Sequence, residues 1–188
     1  MLFRSDDLVP NSWSLDDQQI LFTRQGASGE HLELLPAAGG EPTRLLTGKG
    51  SETNGQISPD GKWVAYASDE SGNWEIYVTS FPGAAGKWQV SRGGGREPRW
   101  RGDGKEIFYI APSGILTAVS VNGESIFATG TPVPLFQIHG RAPISSTDVF
   151  TYDVAKDGKR FLVNRYVKPE HVAPLMILLN TTSGNTYP

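Results

Sequence analysis

One pattern occurs four times along the 188 residues. It reads Trp13-Ser14-Leu15-Asp16, Ile57-Ser58-Pro59-Asp60, Trp100-Arg101-Gly102-Asp103 and Val154-Ala155-Lys156-Asp157, and each copy is followed within a few residues by a short apolar run. The shared aspartates lie 44, 43 and 54 residues apart. A period of this kind constrains the fold more than any single motif does, because each copy is one supersecondary unit that cannot bury its apolar face alone and must stack on its neighbours. Within the copies, Pro59-Asp60-Gly61 sets a fixed φ, a side chain able to hydrogen-bond its own backbone, and a residue free to take positive φ, the order a tight hairpin turn needs. Glycine follows the aspartate in three copies, at Gly61, Gly104 and Gly158. The first copy has Asp17 there and lacks the proline as well.

The runs after the turns, residues 20–22, 63–66, 107–110 and 161–163, do not alternate as a sheet wet on one face would. They predict strands covered on both faces. Third strands are expected near residues 75–78 and 115–119, and more polar outer strands at 43–46, 88–91 and 133–136. No long helical periodicity occurs. Four-stranded units repeating in the low forties predict an all-β chain, a β-propeller of four-stranded antiparallel blades with about four blades in this chain, over residues 9–47, 53–92, 96–138 and 149–180. The long third interval places a loop insertion at 139–149. The last unit shows three strands, near 150–155, 160–166 and 175–180, and no outer strand, while Leu2-Phe3-Arg4 reads as an orphan outer strand. The expectation is therefore that Met1 is not the natural start, and that the full propeller has about six to eight blades, the rest upstream.

Composition narrows function by exclusion. Twenty acidic and seventeen basic side chains leave a net charge of −3, which does not suit a polyanion-binding surface, so nucleic acid is not an expected partner. The absence of cysteine removes disulfides, thiol catalysis and thiolate metal sites. The longest late apolar run, residues 175–179, is far short of a membrane span, so this segment is not expected to insert in a membrane.

Ser58-Pro59-Asp60-Gly61-Lys62-Trp63 with Ser71-Gly72-Asn73-Trp74-Glu75-Ile76-Tyr77-Val78 resembles the blade repeat of TolB-like propellers, relatives of WD-repeat propellers. Further motifs resemble one subgroup, the propeller region C-terminal to the membrane span in bacterial serine/threonine protein kinases. They are Val9-Pro10, Phe81-Pro82-Gly83, Gly86-Lys87-Trp88, Gly93-Gly94-Gly95 with Glu97-Pro98-Arg99-Trp100, and Leu178-Leu179-Asn180. That resemblance implies an extracytoplasmic scaffold or sensor. Thr181 departs from it, standing where the subgroup carries tryptophan. The kinase signatures themselves, His-Arg-Asp, Asp-Phe-Gly and a glycine-rich nucleotide loop, are not in this sequence. A kinase domain is expected upstream of Met1, if one is encoded.

No catalytic residue is assigned. Thr47-Gly48-Lys49-Gly50-Ser51 lacks the first glycine of a phosphate loop and reads as a link between blades. No Gly-x-Ser-x-Gly elbow occurs, and His31, His139 and His171 lack metal-ligand spacing, so neither metal nor cofactor is expected. The repeated aspartates are explained by their turns, and Trp13, Trp63, Trp88 and Trp100, at repeated strand positions, read as core or inter-blade packing. Binding is placed instead on the face that carries the turns after the second strands and the links between blades. Asp69, Glu70, Trp74, Arg96 and Arg141 are the candidate contacts for a protein or small ligand. The alternative is the propeller part of a peptidase or glycoside hydrolase whose catalytic residues lie outside this chain.

Overall fold

The computed structural model describes residues 8–27, 29–123, 126–139 and 150–164, together with the backbone of 176–179. Four antiparallel sheets follow one another, with no helix among the described residues. The first has the order β1 (Leu8–Trp13), β2 (Gln19–Gly26), β3 (Gly29–Pro36), β4 (Thr43–Arg44). The second is β5 (Glu52–Ile57), β6 (Trp63–Ser68), β7 (Glu75–Ser80), β8 (Trp88–Gln89). In the third, β9 (Arg96–Trp100) and β10 (Glu106–Ile110) lead to β11 (Ile115–Asn122), which pairs with both β12 (Ala128–Thr129) and β13 (Val133–Gln137). The fourth holds β14 (Tyr152–Val154), β15 (Arg160–Val163) and β16 (Met176–Leu179). Each sheet is a blade, and the inner strands β1, β5, β9 and β14 lie side by side. The β12 strand has no counterpart in the repeat pattern: β11 runs long enough to take two short partners along one edge.

The four aspartate turns form as their chemistry requires. Asp16, Asp60, Asp103 and Asp157 each accept, through Oδ1, the backbone N–H two residues on, at 3.1, 3.2, 3.0 and 3.0 Å. The hydroxyls of Ser14 and Ser58 also donate to their aspartates, and in the third turn Arg101 grips both carboxylate oxygens of Asp103. These donors hold the Asp16 carboxyl below its ordinary range, chiefly through Ser14, and that of Asp103 below its range, chiefly through Arg101. The next residue takes φ of +57° at Asp17 and +70°, +72° and +70° at Gly61, Gly104 and Gly158.

Three apolar cores fill the three seams between blades. Leu21, Leu32 and Leu34 of the first blade meet Val64 and Tyr66 of the second. Ala65, Ala67 and Ile76 meet Ile107, Tyr109 and Phe127 of the third. Phe108 and Ile110 meet Phe161 and Val163 of the fourth. Successive residues of β6 and β10 therefore serve opposite seams, which is why these runs are apolar without alternation. In the middle seam Phe127 lies 5.0 Å from Trp63, 5.7 Å from Trp88 and 6.4 Å from Trp100, ring centre to ring centre. Gly55 lets the first seam close: a Cβ there would sit 2.7 Å from a Leu21 methyl.

Trp13 stands at the repeat position of Trp100, yet it is 53% exposed where Trp100 is 8% exposed, because no neighbouring sheet among the described residues covers its side of the first blade. The expected orphan strand at residues 2–4, and all of the 139–149 insertion except His139, lie outside the described residues.

Asp17 carries a β-carbon in the left-handed region, at a cost of about 1–2 kcal/mol. Replacing Asp17 by Gly is expected to stabilise the chain by about 1 kcal/mol, reduced by the unfolded-state entropy glycine adds. An increased denaturant midpoint at unchanged slope is the outcome that checks this.

Candidate functional site

The turn at residues 59–62 enters β6 and the turn at 69–74 leaves it, so the two lie at opposite ends of the blade. The link that ends at residue 51 and the start of β9 share the second end. Asp69, Glu70, Trp74 and Arg96 are therefore on one face, and Lys62 and Lys105 on the other. Arg141 lies outside the described residues.

The structure gives these candidates different roles. Asp69 accepts the Ser51 N–H at 2.8 Å and so ties the link between the first two blades to the turn after β6. Glu70 pairs with Lys87. Both carboxylates are thereby engaged in holding loops. Trp74 is not a free surface ring either: it is half-buried, packed against the core of the middle seam. The Arg96 guanidinium lies 4.0 Å above the centre of the Trp74 ring, within the range of a cation–π contact.

Arg96 and Trp74 form part of the lining of a cleft of about 460 Å3, with Asn73, Ala111, Pro112 and the glycine run 93–95. Buried Glu75 shapes that run. Its Oε1 accepts the N–H groups of Gly93 and Gly94 at 3.1 and 2.9 Å, and its Oε2 accepts the Ser91 hydroxyl. The Gly95 N–H donates to the Trp74 carbonyl at 2.8 Å. A Cβ on Gly94 would lie 2.4 Å from Pro112 Cγ, so the wall can only be this close with glycine. No described residue offers Arg96 a hydrogen-bond acceptor or an ion-pair partner within bonding distance. Burial lowers its pKa, opposed by the more distant charges of Glu30, Asp69 and Glu97.

A second polar system runs along the inner strands. Gln56 Nε2 donates to the Asn11 carbonyl at 2.8 Å, and Gln56 Oε1 accepts from Arg99 Nη1 at 2.8 Å. Arg99 lies 3.7 Å from Asp153 and 3.6 Å from the Phe150 ring centre. One residue from each blade thus joins a single chain. Beside it, buried Glu97, at φ +56°, accepts the Thr151 N–H at 2.5 Å and the Thr151 hydroxyl at 2.8 Å. Between the first two blades, buried Glu52 meets His31 and Arg44 at 3.2 and 3.5 Å. Sequence reasoning missed Glu52, Glu75 and Glu97. The available signal was a glutamate at or near the start of a strand in three places, where an exposed carboxylate and a buried one look alike.

Desolvation raises the pKa values of Glu52 and Glu97 above the ordinary glutamate value of 4.5, against the hydrogen bonds and cations that lower them. For a carboxyl raised in the folded state, the unfolded chain releases its proton first. The stability this group contributes is complete below pH 4.5 and is lost as pH rises through the folded value. Glu97→Gln, which removes the charge, is expected to flatten the decline in stability above that pH. Denaturant midpoints measured at intervals up to pH 8 check this, wild type against variant.

The sequence matches no family model and no curated protein. Its fold resembles several solved structures. TolB from Acinetobacter baumannii aligns at a TM-score of 0.64 and 19% identity, over 85% of this chain and 38% of that one. A puromycin-hydrolyzing peptidase from Mycobacterium tuberculosis aligns at 0.59 and 17%, over 84% and 27%. The β-propeller domain of Cps50 (Swd1) from Myceliophteria thermophila aligns at 0.58 and 13%, over 96% and 60%. The chain spans less than two thirds of each of these chains. At such identities the likeness is one of fold: this is an all-β chain of β-propeller blades, with TolB-like and WD40 propellers among its structural neighbours.

Proposed function

We propose that this chain is a non-catalytic binding module whose ligand, a segment of another protein, seats in the cleft of Trp74 and Arg96. The observation that carries this reading is a half-buried guanidinium stacked on an indole, open to a cleft and without a described acceptor. Such a group is suited to take backbone carbonyls or a carboxylate from an incoming chain, while the indole face and Pro112 supply apolar contact. Loops on a rigid scaffold are where recognition groups concentrate.

The module is read further as the C-terminal part of a membrane-anchored signalling kinase, facing away from the cytoplasm as a sensor or scaffold. What supports this is the resemblance carried by Phe81-Pro82-Gly83 and by residues 93–100. The second reading is the propeller part of a peptidase or glycoside hydrolase, favoured for peptidases by the fold likeness to the puromycin-hydrolyzing enzyme. The full reading frame separates them: a kinase domain with one membrane span supports the first, a hydrolase segment the second.

The binding reading is tested with a fluorescent peptide library of varied sequence and C-terminal charge, read by polarisation. Affinity of the peptides selected by the wild type is expected to fall by at least about tenfold in Trp74→Ala and in Arg96→Gln, as for central contacts of an interface. It should be unchanged when Lys62 and Lys105 are both replaced by Glu. Loss only in the lysine variant, or hydrolysis of the peptides by the purified chain, contradicts the reading.

A further inference from the structure

The cleft of Trp74 and Arg96 is built from the second and third blades alone. Residues 73–75 belong to the turn that enters β7, residues 93–96 to the link that enters β9, and residues 110–112 to the turn between β10 and β11. The chemistry of that lining says which part of a partner protein it can take.

The guanidinium comes first. Arg96 is half-buried and held by its face, 4.0 Å over the centre of the Trp74 ring. A face contact fixes the plane of the group and uses none of its N–H donors, so the planar fork stays set for a partner with two oxygens in one plane. A carboxylate has that form, whereas a single carbonyl fills one prong. Nearby carboxylates of the chain itself are engaged elsewhere: Asp69 accepts from Ser51, Glu97 accepts from Thr151, and Glu70 pairs with Lys87. Glu75, which also lines the cleft, has both oxygens taken by Ser91, Gly93 and Gly94. A cation drawn partly out of water with no described counter-charge in contact favours an incoming anion over a neutral group.

The rest of the lining selects what carries the carboxylate. Ala111 and Pro112 give apolar surface in the same cleft, and exposed Asn73 offers an amide that both donates and accepts, as an extended backbone requires. The last residue of a chain presents these features together, since its carboxylate and its side chain leave the same Cα and a peptide group precedes them. Size agrees. About 460 Å3 lies toward the small end of the roughly 300–1,000 Å3 of pockets that enclose small molecules, which suits the end of a chain better than a strand running through.

We propose that the cleft recognises a chain terminus: the free C-terminal carboxylate of a partner protein pairs with Arg96, and an apolar last side chain packs against Ala111 and Pro112. This rests on the reading of the cleft as the binding site and adds the identity of the group that enters it.

Peptides selected against the 188-residue chain from two fluorescein-labelled libraries test this. Both are randomised at the last positions, one ending in a free carboxylate and the other in an amide, and the tightest binders of each are measured by polarisation. The free-acid peptides are expected to end in an apolar residue and to lose at least about tenfold in affinity when remade as amides, the loss of a charge-assisted pair. Arg96→Gln should remove most of that difference, while Arg96→Lys, which keeps the charge without the fork, falls between. The acid and amide forms are compared on the wild-type chain, so the comparison holds even if a variant fails to fold. Equal affinity of the two forms, with both still weakened by Trp74→Ala, leaves the cleft as the binding site and overturns the terminus. Amidated peptides with an internal Asp or Glu that bind as tightly as the free acids also overturn it, assigning the Arg96 pair to a side chain. An acid preference that survives in Arg96→Gln and Trp74→Ala, or no binding from either library, removes the cleft reading as well.

Discussion

Burial between neighbouring blades is the interaction on which the rest of the structure depends. A lone sheet of four short strands with apolar side chains on both faces has no way to hide them, and isolated sheets of this size are marginal in water. Here β6 and β10 place alternate residues into different seams, so each central blade is half of two cores at once. The middle seam is the most aromatic, with Phe127 at the centre of three indoles. Its rings touch edge to face or tilted, arrangements that add to plain area burial.

The candidate site follows from that seam. Trp74 roots in the core shared by the second and third blades, and the ring it turns outward is the platform for Arg96. Glu75, one residue on, faces inward and gathers the N–H groups of the glycine run that walls the cleft. Position in the blade thus decides chemistry. The first residue of β7 can spend its carboxylate on backbone donors only because the link to the next blade passes directly over it. On the inner strands, Gln56 and Arg99 do the equivalent work for blade spacing, joining neighbours by hydrogen bonds whose donors and acceptors are charged or amide groups largely removed from water.

Much of the fold was legible in the sequence because the repeat encodes it twice, in turn chemistry and in doubly buried strands. Asp60 with Gly61 announces a hairpin, and the left-handed backbone at Asp17 could be placed from its copies alone. Equivalence to Trp100 places Trp13 in its blade, while its 53% exposure depends on whether a neighbouring blade covers that side, which a position in the repeat does not encode. At the site, the sequence brought Trp74 and Arg96 to one face, and the structure stacks them. It could not tell that Asp69 and Glu70 are engaged by Ser51 and Lys87, since those pairings join segments about twenty residues apart through loop geometry. Glu75 and Glu97 escaped notice because a buried carboxylate is recognised by its donors, here backbone N–H groups and hydroxyls, and a donor set of that kind leaves no residue-type signature.

The claim that seams, and not separate sheets, are the stabilising units is tested most directly by Phe127→Ala, with unfolding followed by both far-ultraviolet circular dichroism and tryptophan fluorescence. The account predicts one coincident transition for both probes, shifted by a loss of about 3–5 kcal/mol, the cost of removing a buried phenylalanine from a packed core. A loss below about 1 kcal/mol, within what surface substitutions produce, or two transitions that separate as one sheet melts alone, would contradict it.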